Sequence, residues 1–160
     1  MLLYHGSNIE ISTPKIMPSN RALDFGVAFY LTSDLDQAKN WALKKAKMNN
    51  TERGCVSVFE VDLNNIKSLN YIEFQQPNRD WLHYIVANRK RMLSSDDYDI
   101  VIGPVANDQT IRVVNEFLRG LHTEEITIQL LLTQRLKDQY AFKTKKALNI
   151  LSFIEVFFYE

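Results

Sequence analysis

The chain carries a single cysteine, Cys55, in 160 residues. That excludes an internal disulfide and a cysteine zinc cluster, and it fits a reducing cytoplasm. Excess charge is missing too: 19 basic residues balance 19 acidic ones. The protein as a whole therefore has no general attraction to nucleic acid or to an anionic membrane, although a local basic patch stays open. No apolar run approaches the ~20 residues that span a bilayer. Met1-Leu2-Leu3 passes straight into polar His5-Gly6-Ser7, with no secretory leader pattern. The histidines His5, His83 and His122 lack ligand spacing, so no metal is expected. Repeats, linkers and low-complexity segments are absent as well. What is left has ordinary globular composition, 46% hydrophobic and 24% charged, and is long enough for one domain with a real core. The expectation is a single cytoplasmic domain over residues 1–160.

Patterning along the chain gives a mixed α+β order. Leu2 to Tyr4 reads as a short strand ending on His5-Gly6-Ser7, where Gly6 lets backbone come close to a ligand. Residues 8–23 read as loop, with Pro14, Pro18 and one arginine, Arg21. Val27 to Leu31 reads as a strand, and Asp34 to Asn49 as a helix with Ser33 as N-cap and Leu35, Ala38, Ala42 and Ala46 on one face. Its lysines, Lys39, Lys44, Lys45 and Lys47, read as a solvated surface. Cys55 to Leu63 is β-branched and aromatic and reads as a strand, with a weaker one from Ile66 to Phe74. A helix from Asn78 to Met92 ends on Arg89-Lys90-Arg91, whose cations complement the helix dipole.

Tyr98 to Val105 is a dense apolar strand. Asn107 and Asp108 precede a helix to Arg119, where capping is the simple role of Asp108 and contact with a ligand the sharper one. Thr123 caps a helix from Glu124 to Gln134. Lys137 to Phe142 (strand), Thr144 to Asn149 (short helix) and Leu151 to Tyr159 (strand) complete the chain. The last strand reads as buried in preference to a partner-facing edge.

One stretch organises the rest. Asp24 to Trp41 gives a turn, a strand and a helix, and delivers Tyr30 and Trp41 eleven positions apart. A strand that turns directly into a helix can bring two such rings face to face, leaving a slot for a flat cationic ring. Plain core packing is the other reading of the same spacing.

The ordered set HGS at 5–7, GVAFY at 26–30, Trp41 and QYAF at 139–142 resembles the ADP-ribosyltransferase superfamily. The match is to its histidine–tyrosine–glutamate branch, which includes diphtheria toxin and the poly(ADP-ribose) polymerases. With DFGxxFYLT, QAxxWA and YDIVIGPVANDxT added, it is similar to short bacterial proteins of unknown function grouped with these enzymes. Those proteins are often encoded beside small antitoxin-like partners. The resemblance spans nearly the whole chain. It implies a split β-sheet core with flanking helices and NAD as substrate. It also implies a mono-ADP-ribosyltransferase, the toxin of a toxin–antitoxin pair, acting on an unknown acceptor. The alternative on the same fold is an inactive nucleotide-binding or protein-interaction module.

The resemblance also implies roles. Tyr30 and Trp41 would hold the nicotinamide ring, and Gly6 backbone its carboxamide. His5 would bond a hydroxyl of the adenine-side ribose with Ser7 nearby, and Arg21 would meet the pyrophosphate in fork geometry. His5, Tyr30 and Gln139 would form the catalytic set. Gln139 stands where the family has a glutamate that steadies positive charge growing on the ribose. A glutamine holds a hydroxyl but brings no charge, and losing one such preorganised group costs roughly 10²–10³ in rate. Asp138, Glu124 or Glu125 is the other candidate source of that charge.

Overall fold

The computed structural model describes residues 1–18, 23–90, 96–106 and 108–160. In order, the elements are β1 (Leu2–Ser7), β2 (Phe29–Leu31), α1 (Leu35–Met48), β3 (Gly54–Glu60), α2 (Leu63–Lys67), β4 (Tyr71–Glu73), α3 (Arg79–Arg89), β5 (Ile100–Pro104), α4 (Asp108–Leu118), α5 (Glu124–Leu132), β6 (Asp138–Phe142), α6 (Lys145–Leu148) and β7 (Ser152–Tyr159). They form one α+β domain with two sheets. The first is antiparallel, in the order β1-β3-β7, and the second runs β2-β6-β5-β4. Among the described residues only β4 and β5 pair in parallel, as expected for strands joined through a crossover helix, here α3.

Side chains alternate between the faces of a strand, and here each face has its own neighbour. Leu3 and Phe59 from the first sheet meet Phe29, Leu31, Ile100 and Phe142 from the second, and this layer is the central core. The outer face of the second sheet, with Val101 and Ala141, is covered by Trp81, Leu82 and Ile85 of α3 and by Val114 and Leu131. The outer face of the first sheet, with Val56, is covered by Ala38 and Ala42 of α1. Small residues on both sides bring that helix very close: a Cβ placed on Gly6 would lie 2.2 Å from the Ala38 carbonyl oxygen, and one on Gly54 would lie 2.7 Å from the Ala42 carbonyl carbon. The alanine stripe read from the sequence is the face that α1 buries.

Local chemistry sets the element ends. The side chains of Asn78, Thr123 and Thr144 cap α3, α5 and α6 by accepting from Trp81, Ile126 and Ala147 N–H groups. Gly26 closes a turn at φ 82°, donating its N–H to the Leu23 carbonyl at 3.1 Å. Only glycine adopts that φ without strain.

Several expectations need correction. The N-cap of α1 is Asp34, which accepts from Gln37 N–H at 2.8 Å, while Ser33 donates to Asp138. The segment from Ile66 to Phe74 is not one strand. Asp62 caps the short helix α2, which buries Ile66, and only Tyr71–Glu73 is extended. The strand expected from Val27 begins at Phe29, and Val27 is exposed. β7 is an edge and not a buried strand: it pairs on one side with β3, and Phe153, Ile154 and Phe158 are exposed. The Arg53 guanidinium lies 3.9 Å from the Phe158 ring centroid, covering part of that apolar edge. Arg91, Met92 and Asn107 lie outside the described residues, as does the side chain of Asp108. Among the described residues no helix is long and apolar enough to cross a membrane.

Candidate functional site: the split between β1 and β2

Among the described residues, one backbone bridge joins the two sheets. Tyr4 N–H donates to the Thr32 carbonyl at 2.8 Å, and Thr32 N–H returns the bond to Tyr4 at 3.0 Å. Backbone groups of alternate residues point to the same edge of a strand. The N–H and C=O of Gly6 therefore face β2, opposite Tyr30, but the ladder does not continue. Instead the His5 imidazole takes the Tyr30 carbonyl through Nδ1 at 2.7 Å. Its ring stacks on Phe29, with centroids 4.3 Å apart and planes at 21°. The imidazole takes the carbonyl that the next ladder bond would use. Gly6 is buried, and no hydrogen bond to its two backbone groups on that edge joins the described residues.

A carbonyl oxygen only accepts, so His5 Nδ1 carries the proton and Nε2 presents a lone pair. Burial pushes the His5 pKa below its ordinary value. The bond to Tyr30 resists that shift, and the charge of Lys45 adds to it. The ring is thus held neutral, as an acceptor at Nε2. Ser7 lies on the same face of β1, and its Oγ accepts from Ile9 N–H at 3.4 Å.

The far wall is β6. Tyr30 pairs with Ala141 and Leu31 with Tyr140, and continuing that register puts Gln139 beside Thr32. Gln139 shares a face with Ala141 and Tyr30. It is 8% exposed, and its Nε2 is sealed from solvent without a hydrogen-bond partner. Buried carboxamide nitrogens normally have partners, so this one is a group awaiting an acceptor. From α1, Gln37 reaches across to donate from Nε2 to the Asp138 carbonyl at 3.2 Å, and its Oε1 is likewise buried and unpartnered.

The aromatic pair is placed as follows. The Tyr30 ring packs against the cluster of Phe25, Trp81 and Ile85. Its hydroxyl donates to the Gly26 carbonyl at 2.5 Å and accepts from Phe25 N–H at 3.2 Å. Burial raises its pKa well above the ordinary tyrosine value. Trp41 is half-exposed on α1, one turn beyond Gln37, with the ammonium groups of Lys44 and Lys45 at 5.4 and 5.6 Å from its ring centroid. No direct ring contact joins it to Tyr30 among the described residues. Arg21 lies outside the described residues.

Of the alternative acids, Asp138 is committed to the wall itself: Oδ1 accepts from Thr32 Oγ1 at 3.0 Å and from Ser33 N–H at 2.9 Å. Glu124 pairs with Arg79 at 2.8 Å and with His83 at 2.6 Å, and Glu125 is exposed.

The turn that carries Tyr30 is braced from behind. Arg89 pairs with Asp24 at 2.7 Å. Lys143 Nζ donates to the Phe25 carbonyl at 2.9 Å, to Asp96 at 2.7 Å and to the Tyr84 hydroxyl at 3.1 Å. Burial raises the Asp24 pKa although Arg89 pulls it down.

Gln37 and Lys45 are the site residues that sequence reasoning missed. Both sit four residues from Trp41 on the helix face next to the alanine stripe, and that spacing was the available signal. Of two depressions in the surface, the first lies away from this site and the second shares Asp138 with its wall. One of about 650 Å³ is lined by Met1, Glu60, Asp62 and Lys67, and one of about 200 Å³ by Glu73, Ile102, Asp138 and Tyr140.

No curated protein and no solved structure matches the chain. A family model does match, over residues 1–153, and its description is a protein of unknown function (DUF3990). By that near-complete match the chain belongs to the DUF3990 family.

Proposed function

We propose that the protein binds NAD in the split between β1 and β2 and acts as a mono-ADP-ribosyltransferase. The observation that carries this reading is the interrupted ladder. His5 takes the carbonyl that Gly6 would otherwise pair with, and a buried, unpartnered Gln139 amide stands on the adjoining wall. A flat heterocycle bearing a carboxamide can complete the Gly6 edge as a missing strand residue would. Lys45, whose charge reaches His5, is a cation suited to the pyrophosphate, the role that the resemblance gives to Arg21.

The chemistry would break the bond between ribose C1′ and the pyridinium nitrogen. Nicotinamide leaves with the bonding pair, and positive charge develops at C1′ and the ring oxygen. An acceptor nucleophile then bonds to C1′ and gives up its proton. Tyr30 and Gly6 hold the leaving group's ring, and neutral His5 accepts from a ribose hydroxyl through Nε2. Gln139 orients the reacting ribose by hydrogen bonding. The pyridinium must displace the Lys44 and Lys45 ammonium groups from the Trp41 face, losing about 0.5–1 kcal/mol of exposed cation–π contact.

A second reading, NAD binding without turnover, is favoured by the carboxylates. Gln139 is uncharged, Asp138 is held by Thr32 and Ser33, and Glu124 is held by Arg79 and His83. Calorimetric titration with NAD, followed by incubation with nicotinamide-labelled NAD, separates the readings. Binding with released nicotinamide supports the transferase. Binding without release supports the second reading, and no binding removes both. Tyr30→Ala is expected to abolish binding in either case.

A further inference from the structure

Two half-used carboxamides meet at Asp138. Gln37 spends its nitrogen on the Asp138 carbonyl, which fixes the orientation of its amide and leaves Oε1 buried without a donor. Gln139, the next residue along β6, leaves Nε2 buried without an acceptor. Each group is costly to shut away from water without a partner. The two atoms are complementary, yet they belong to different elements, α1 and β6, and no hydrogen bond joins them. Because Gln37 is anchored on the residue that precedes Gln139, one ligand group that accepts from the Gln139 nitrogen and donates to the Gln37 oxygen would relieve both costs at once.

We propose that Gln37 contacts substrate. Together with Gln139 it holds one neutral ligand group that both gives and takes a hydrogen bond, a hydroxyl or a primary carboxamide, and it disfavours a carboxylate or phosphate there. This rests on the nucleotide reading above. An anionic group has no proton to give Gln37 Oε1, and the Asp138 side chain next to it offers only acceptor oxygens, with Oδ1 already taken by Thr32 and Ser33. The Lys137 ammonium, on the residue before Asp138, is already paired with Asp34 at 2.5 Å. NAD offers both chemistries, a carboxamide on its pyridine ring and hydroxyls on its ribose.

The test is a set of dissociation constants for three ligands: NAD, nicotinic acid adenine dinucleotide, and an NAD analogue lacking the 2′-hydroxyl of the nicotinamide-side ribose. Each is measured on the unaltered chain and on Gln37→Met, which keeps the side-chain length. The expected result is a roughly tenfold loss of NAD affinity in Gln37→Met. One analogue, the one lacking the group that is held, should bind both proteins equally and should already bind the unaltered chain about tenfold more weakly than NAD does. Which analogue behaves so identifies the group. That second comparison needs no variant, so it stands even if Gln37→Met folds poorly. Equal losses for all three ligands would assign Gln37 a structural role and overturn the proposal, as would no loss for any. Failure of the unaltered chain to bind NAD overturns the nucleotide reading along with it, whereas NAD binding that ignores Gln37 sinks this proposal alone.

Discussion

A methyl group added at Gly6 tests how α1 is seated and, through that helix, how the site is held. The new Cβ would lie 2.2 Å from the Ala38 carbonyl oxygen and 3.1 Å from both Ala38 C and Ala42 N, where ordinary contact begins at 3.4 Å. These are backbone atoms of a helix, which cannot rotate out of the way as a side chain can. The helix must retreat by about 1 Å or the strand must bend, and the Ala38–Ala42–Val56 layer loosens either way. Overpacking of this kind costs about 1–3 kcal/mol, and the backbone obstruction puts Gly6→Ala near the top of that range. For a chain of this size the midpoint of thermal unfolding should fall by roughly 5–10 °C. Urea unfolding should show a lower midpoint with an unchanged slope.

Gly54→Ala presses on the same helix, its Cβ 2.7 Å from Ala42 C and 2.9 Å from Ala42 O. A helix already lifted by one methyl leaves room for the other, so the double variant should lose less than the two single losses combined. A Gly6→Ala cost under ~0.5 kcal/mol, or full additivity with Gly54→Ala, would refute this account of the packing.

Other outcomes follow from the same geometry. Arg89→Met strands the Asp24 carboxylate, which burial already disfavours, and should cost about 3–5 kcal/mol in urea unfolding. The double variant with Asp24→Asn should recover much of that loss, and a double variant as weak as the single one would contradict the pairing. His5 is held below its ordinary pKa of 6.5, so the unfolded chain binds more protons just below that value. Stability should therefore decline as pH falls through 6.5 toward the lower folded value, and His5→Asn should flatten that decline between about pH 7.5 and about pH 5.5. An unchanged slope would show that some other group titrates there. Asp99 is held below the usual carboxylate range, first by the Thr144 hydroxyl at 2.6 Å. Its stabilisation is present above its unfolded pKa of 3.8 and lost as pH falls through the folded value, and Asp99→Asn should remove that part of the acid limb. Gln139→Glu should raise NAD hydrolysis by roughly 10²–10³ if a charge at that position is what limits turnover, and unchanged nicotinamide release would argue against the transferase.

Much of the architecture is local and was legible without coordinates. Thr123, read as a cap, and Asn78 and Thr144, read as the first residues of their helices, all cap because a short polar side chain meets the free N–H groups of a first turn two or three residues on. Ala38, Ala42 and Ala46 form the buried stripe because 3.6-residue periodicity allows no other face. Local signals failed where two residues competed for one role. Ser33 and Asp34 are both good caps, and Ser33 was drawn away by Asp138, 105 residues distant. They failed again where burial depends on neighbours: the apolar run of β7 has the composition of a covered strand, but sheet order leaves it at an edge.

The sequence by itself determined the α+β class and most of the helices and strands, and it named His5, Gly6, Tyr30, Trp41 and Gln139 as the residues to examine. Periodicity, capping and residue chemistry are properties of short stretches of chain. Only the tertiary structure decided that the His5 imidazole replaces a ladder bond 25 residues away, and that Gln37 crosses to a strand 101 residues on. The unpaired atoms that mark the site exist because strands distant in sequence converge and then part, and no local pattern records where two sheets separate.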